Sequence, residues 1–364
     1  FAVFAAAFIR MFLLEAYKIP TPSMEGSLNV GDFLFVSKAH YGIRTPMTIA
    51  MFPLLHNTIP VIGGESYLEK PSLPYFRLPA LESIDRNEPI VFNWPVGDSV
   101  YLSPTRSYTA FQVKTNPEAK RDVGNSPLIT RPIDKKDHYI KRCIAIAGDS
   151  LEVRNRQVYI NGVAAVNPKN LQFAYQIDAP NLNYAKVEEA GIAIPSDRRW
   201  PYFLSATHLE KLKGIDPNIQ IRPFDPTGQT AGLFPHDPVH FNTWTVDNYG
   251  PIYIPKKGAT VALTPETIAL YRRVIDVYEN NDYKEENGQY IINGVPSTSY
   301  TFKQDYYWAM GDNRHNSEDS RAWGFVPHDH IVGKPLFIWF STKNGDMSNG
   351  INWDRIFTSA YKMD

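Results

Sequence analysis

A chain of 364 residues is long enough for one large or two ordinary domains around a sizeable core. Its 37 Lys and Arg against 38 Asp and Glu leave a formal charge of −1, which excludes a global basic field for recruiting nucleic acid. A hydrophobic content of 43% excludes a disordered chain, and a single cysteine, Cys143, excludes an intramolecular disulfide or a thiolate metal site.

In chain order, residues 1–17 (FAVFAAAFIRMFLLEAY) come first, apolar but for Arg10 and Glu15. As a helix they reach about 25 Å, slightly short of a bilayer core. They read as the C-terminal part of a membrane-spanning helix whose start is missing. An interfacial amphipathic helix, a secretory signal h-region and an ordinary core helix are the alternatives. Pro20 and Pro22 end this segment, because each pushes its predecessor out of the α region. NVGDFLFVSKAHYGI (29–43) reads as a turn and a strand, 44–88 as proline-rich loop, and NEPIVFNWPVG (87–97) as a short buried strand. Residues 103–137 read as polar and irregular. YIKRCIAIA reads as a strand, and LEVRNRQVYINGV as a hairpin with turns near Asn155 and at Asn161-Gly162.

RQVYINGV (156–163) is echoed by GQYIINGV (288–295). The pair predicts two strands of one sheet with an insertion between them. Inside that insertion, 185–213 holds helical stretches, and 264–281 is the best amphipathic helix, with Thr264 as N-cap and Pro265 at its first position. YYWAM (306–310) reads as a buried strand, GDNRHNSEDSR as a polar loop and IVGKPLFIWFS (331–341) as the last strand.

Three places carry chemistry. Ser23 follows the greasy segment between Pro22 and Met24; a serine needs an adjacent base to act as nucleophile, and alone it reads as a turn residue. Lys141 lies in an apolar strand, on the face of Tyr139 and Cys143. Drawn into apolar surroundings its amine is available as a neutral base; on an edge strand it would snorkel to water. The nine histidines show no HExxH spacing, and Pro238 separates His236 from His240, so neither metal nor cofactor is expected.

The third place is GDNRHNSEDSRAWGFVP. With IPTPSMEGSLNVGDFLFVSK and YIKRCIAIAGD, in that order along the chain, it resembles the bacterial type I signal peptidase family, membrane-bound serine/lysine proteases that remove signal peptides from exported proteins. The resemblance implies Ser23 as nucleophile, Lys141 as general base, and the Thr21 hydroxyl as part of the oxyanion hole. It implies that Ser317 orients the lysine, that Asp319 and Arg321 hold the last loop, and that Asp312 pairs with Arg142; Met24 matches the residue after the nucleophile. Two positions depart from the family pattern: Glu25-Gly26, where many members have an apolar residue and proline, and His315, where an aspartate is common.

The expected architecture is mainly β: an antiparallel β-sheet catalytic domain (19–163 and 288–345), an inserted α+β cap (164–287), an N-terminal membrane-anchor helix (1–18) and a C-terminal tail (346–364). The expected partners are signal-peptide-bearing pre-proteins and membrane lipid, with no nucleic acid. The expected place is the bacterial inner membrane, with the catalytic domain on the periplasmic side. A self-cleaving serine/lysine protease of the repressor type and a non-enzymatic membrane-anchored β-rich binding module are the alternatives. The first would carry a DNA-binding helix-turn-helix, and none is seen.

Overall fold

Two runs with no polar face, PIVFN and YYWAM, become Pro89–Asn93 and Tyr306–Met310, strands buried at every residue. Burial on both faces is what removes the usual in–out alternation. They belong to a seven-stranded sheet in the computed structural model, which describes residues 2–52, 55, 57, 59, 65–103, 106–179, 182–195, 201–224 and 232–361. Parts of the expected 44–88 loop and cap, and the end of the tail, lie outside the described residues. The strands stand in the order Leu14–Lys18, Asp32–Ser37, Ile331–Ser341, Pro89–Asn93, His138–Ala145, Tyr306–Met310 and Val326–Pro327, all antiparallel. The protein is thus mainly β, as its patterning predicts.

The N-terminus differs from expectation. The helix runs only over Ala2–Phe12, with no residue buried, and Leu14–Lys18 is a strand paired with Asp32–Ser37. Glu15 explains the change: it is 7% exposed and bound by Arg10 Nε at 2.7 Å, Lys38 Nζ at 2.8 Å and the Tyr17 hydroxyl at 2.7 Å. Burial alone would raise its carboxyl, but Lys38 and His138 overcome that and hold it well below the usual carboxylate range. Among the described residues no helix is long and apolar enough to cross a membrane.

The described part of 103–137 is more ordered than its polarity predicts. Ser99–Leu102 is flanked by Ser107–Thr109 and Leu128–Thr130, and two short helices follow, Ala110–Thr115 and Pro117–Val123. Their caps are local: Thr109 and Gln112 form a capping box, and Asn116 accepts from the Glu118 and Ala119 N–H groups ahead of Pro117.

Among the described residues of 164–287, two separate cores are seen. Phe173–Asp178 lies between Tyr202–Leu204 and Gln220–Pro223, and with helices Tyr184–Glu189 and Ala206–Ile215 it encloses its own small core of Val187, Leu204 and Leu212. By contrast Tyr249–Tyr253 pairs with Ser150–Arg154, and the helix Pro265–Arg273, capped by Thr264, shares a core with Trp308 and Phe325. The echoed segments form the strand pairs Gln157–Ile160/Val163–Ala164 and Gln289–Ile292/Val295–Ser297, but in two different sheets. An Asn-Gly turn specifies its own hairpin and not the neighbour that hairpin joins. The tail folds back onto the last strand, where Phe357 N–H donates to Ile338 O at 2.7 Å.

A buried cluster fastens the approach to the lysine strand. Lys136 Nζ meets His330 Nε2 at 3.0 Å, and His330 Nδ1 meets Asp329 at 2.6 Å. Burial, reinforced by Lys136, pulls the His330 imidazole down to about 4. A histidine depressed on folding binds its proton more readily when unfolded, so the stability it supports is complete above about pH 6.5 and lost as pH falls toward 4. Urea titrations at pH 7 and 4.5 should show His330→Asn losing about 2 kcal/mol less stability than wild type over that interval; parallel losses would remove His330 from the acid response.

Candidate active site

The nucleophile candidate sits on a stiff turn. Pro22–Met24 is one turn of 3₁₀ helix, preceded by Thr21 in extended backbone. Met24, with no exposed surface, anchors the turn in a core with Leu28, Leu34 and Val91. On the other side Ile19 N–H donates to Asp32 O at 2.8 Å. The turn leaves Ser23 Oγ facing the lysine strand. As a first-turn amide, the Ser23 N–H has no partner further back in its own turn.

Lys141 comes from a strand with a neighbour on each side: it pairs with Ile90, and the next residues pair with Met310 and Ala309. The snorkelling edge-strand reading therefore fails. The side chain is 3% exposed, and its Nζ lies 2.8 Å from Ser23 Oγ and 2.9 Å from Ile140 O. Burial lowers the amine to about 8, against the opposing pull of Asp319, Glu318 and Asp312. The face Lys141 shares with Tyr139 and Cys143 is apolar, and the Tyr139 ring centroid is 5.4 Å from the amine. Cys143 is fully buried and its thiol is pushed up by that burial, so it is no nucleophile at neutral pH.

The polar loop closes the site from above. Asp312 and Arg142, both without exposed surface, form a fork at 2.7 and 2.6 Å, and Arg142 Nη2 also reaches Ser27 Oγ at 3.2 Å. This ties the lysine strand both to the loop and to the segment after the nucleophile. Asp319 binds Arg321 at 2.9 and 2.8 Å and accepts the Gly311 N–H at 2.9 Å. Asn313 N–H donates to Ser23 O at 3.1 Å. Thr21 Oγ1 is 3.5 Å from Ser23 Oγ.

Ser317 is placed differently from its expected role. Its Oγ makes no hydrogen bond to Lys141, whose second partner is Ile140 O. It has no hydrogen bond of ordinary geometry, yet stands close enough to Asp319 to help hold that carboxyl down. Gly311 lies between: a Cβ there would come 2.2 Å from Ser317 Oγ and 2.4 Å from Ser23 O. Sequence reasoning passed over Gly311, and also Gln172, whose backbone brackets the loop by accepting from Arg314 N–H and donating to Asp312 O, each at 2.9 Å. The flag for Gly311 was its place just after a wholly buried strand, where a side chain has no solvent to turn into.

The two departures are also placed. Gly26 has φ +94°, and a Cβ there would meet Asn170 O at 2.8 Å. His315 Nδ1 accepts from Ala174 N–H at 3.2 Å, so its ring proton sits on Nε2 and donates to Asp247 at 2.8 Å. No group of three or more His, Cys, Asp or Glu suited to a metal occurs among the described residues.

The family described as signal peptidase, peptidase S26, matches residues 1–200 and 256–340. The chain is thus a serine peptidase by class, a hydrolase of peptide bonds. Within that class it belongs to the signal peptidase family, peptidase S26. Signal peptidase I of Haemophilus influenzae is 25% identical over 363 residues, 99% of this chain and 73% of the relative. Signal peptidase I of Helicobacter pylori is 23% identical, over 97% of this chain and 87% of its own length. That of Pseudomonas aeruginosa is 22% identical, over 97% and 74%.

Proposed function

We propose that this signal peptidase cuts exported pre-proteins with Ser23 as nucleophile and Lys141 as general base. One observation carries the reading: a buried amine, lowered to about 8, stands 2.8 Å from the Ser23 hydroxyl. The neutral amine takes the Ser23 proton as Oγ attacks the scissile carbonyl. The ammonium then protonates the leaving amine, and a water activated by the same lysine clears the acyl-enzyme. The Ser23 N–H and the Thr21 hydroxyl hold the oxyanion. Asp319 and Arg321 keep the loop in place, and Asp312 with Arg142 fastens it to the lysine strand. The substrate is an extended peptide with small residues one and three places before the cut, added alongside a strand.

Attachment to a membrane is part of the same reading. Val3, Phe4, Phe8 and Ile9 stand exposed on the Ala2–Phe12 helix, which supports an apolar anchor in lipid; the membrane is read as the bacterial inner membrane, with the site on its outer side. The catalytic unit is the seven-stranded sheet with the Tyr249–Tyr253 and Pro265–Arg273 elements, and the inserted unit is the compact 173–223 portion of the expected cap.

Incubation of the purified chain with a signal-peptide-bearing precursor should release the mature protein, and Ser23→Ala should release none. Equal release by both removes the assignment. Thr21→Val should retain cleavage but lower kcat by roughly 10²-fold, the loss of one oxyanion donor, with KM little changed; an unaltered kcat would take the Thr21 hydroxyl out of the oxyanion hole.

A further inference from the structure

Residues 201–255 fall between the two stretches the family matches, yet part of that segment stands against the active-site loop. Phe234 N–H donates to Arg321 O at 2.7 Å. The Phe234 ring is seated where Gly324 leaves room, since a Cβ at 324 would lie 2.5 Å from it, and it packs edge-on against Trp308 and Phe325. Further along, Asp247 accepts from His315 Nε2 at 2.8 Å and from Arg156 Nε at 3.0 Å. The segment is therefore pinned at two points to the loop that carries Ser317 and Asp319.

The segment walls two clefts that adjoin at Gly232 and Leu233, just before the first pin. The inner one, about 300 Å³, is bounded by His315, Ser317 and Glu318; the outer one, about 380 Å³, by Phe111, His236, Phe241 and Trp244. The inner cleft shares Ser317 with the nucleophile's surroundings, because Ser317 and Ser23 O both crowd Gly311. The outer cleft is aromatic. Phe111 is 54% exposed with its ring 5.7 Å from His236, whose imidazole is lowered by burial. Asp237, the acidic residue at its rim, is paired with His240 at 2.7 Å. The outer cleft's walls suit apolar side chains, whereas the inner cleft also carries Arg314, Glu318 and Arg321.

We infer that segment 232–248 is a specificity element: with Phe111 it holds apolar side chains of the substrate outside the small-x-small triplet. The inference rests on the signal-peptide reading above. An extended chain advances about 3.3 Å per residue, and the two clefts, joined at Gly232 and Leu233, continue outward from Ser317.

The test uses two synthetic peptides with one small-x-small site. One stops two residues beyond it on each side; the other is extended at both ends by leucine- and phenylalanine-containing sequence. Wild type should cleave the extended peptide with kcat/KM at least about tenfold higher, mainly through KM, a preference of about 1.4 kcal/mol. Phe111→Ala and Trp244→Leu should each cut that ratio to about threefold or less. The ratio is indifferent to any fraction of variant that fails to fold. An unchanged ratio in both variants overturns the inference and leaves Ser23-dependent cleavage standing. Cleavage of both peptides by Ser23→Ala overturns the signal-peptide reading, and this inference with it.

Discussion

Lys141→Met should leave a folded protein that does not cleave, with kcat/KM at least about 10⁴-fold below wild type. Methionine keeps the length and apolar contacts of the lysine stem but has no proton acceptor of comparable basicity. The amine is 3% exposed and lowered by burial to about 8, so replacing it removes a desolvated group rather than a solvated one. The variant should therefore unfold at no lower a temperature than wild type, which separates loss of a base from loss of the fold. The pH profile checks the same point independently. Only the neutral amine accepts the Ser23 proton, and at pH 7 that form is about a tenth of the total for a group titrating near 8. Activity should rise about tenfold per unit at low pH, bend near 8 and flatten above about 9. A variant retaining a tenth of wild-type activity, or a profile flat from pH 6 to 9, would sink the lysine's role.

Much of this site was legible before the fold was known, because the relevant signals are local. Pro20 and Pro22 announce a stiff turn around Ser23, and the apolar neighbours of Lys141 announce a buried strand. The same is true of YYWAM and of the Thr264-Pro265 cap. What was missed depends on contacts made at a distance. The helix at the N-terminus stops early because Glu15 finds Lys38 and His138, and because residues 14–18 find Asp32–Ser37. Nothing within FAVFAAAFIRMFLLEAY encodes those partners. The expected cap splits because strand patterns at 249–253 do not say which sheet will take them, and it is Ser150–Arg154 that does. The Lys141–Ser317 contact implied by resemblance gave way to Ile140 O, the acceptor the lysine's own strand supplies.

Gly311→Ala should abolish most activity without a large loss of stability. An added methyl would sit 2.2 Å from Ser317 Oγ, 2.6 Å from Ser317 Cβ and 2.4 Å from Ser23 O. All are far inside van der Waals contact, and one of the atoms is backbone, so either the nucleophile's turn or the loop must shift. The turn is poorly placed to yield, since Met24 is fully buried and Ser23 O already accepts the Asn313 N–H. The loop is held by the Gly311 N–H on Asp319 and by the Asp312–Arg142 fork. A displacement near 1 Å at reacting groups lowers kcat by about 10²-fold, while overpacking costs about 1–3 kcal/mol of stability. Gly214→Ala provides the contrast: it lies in the Ala206–Ile215 helix with nothing within 4 Å of the new Cβ. That change should stabilise by about 0.5–1 kcal/mol through helix propensity and leave cleavage unaltered. Comparing kcat, KM and Tm for the two alanine variants tests whether the pinch at Gly311 positions the nucleophile; equal kcat values would show that it does not.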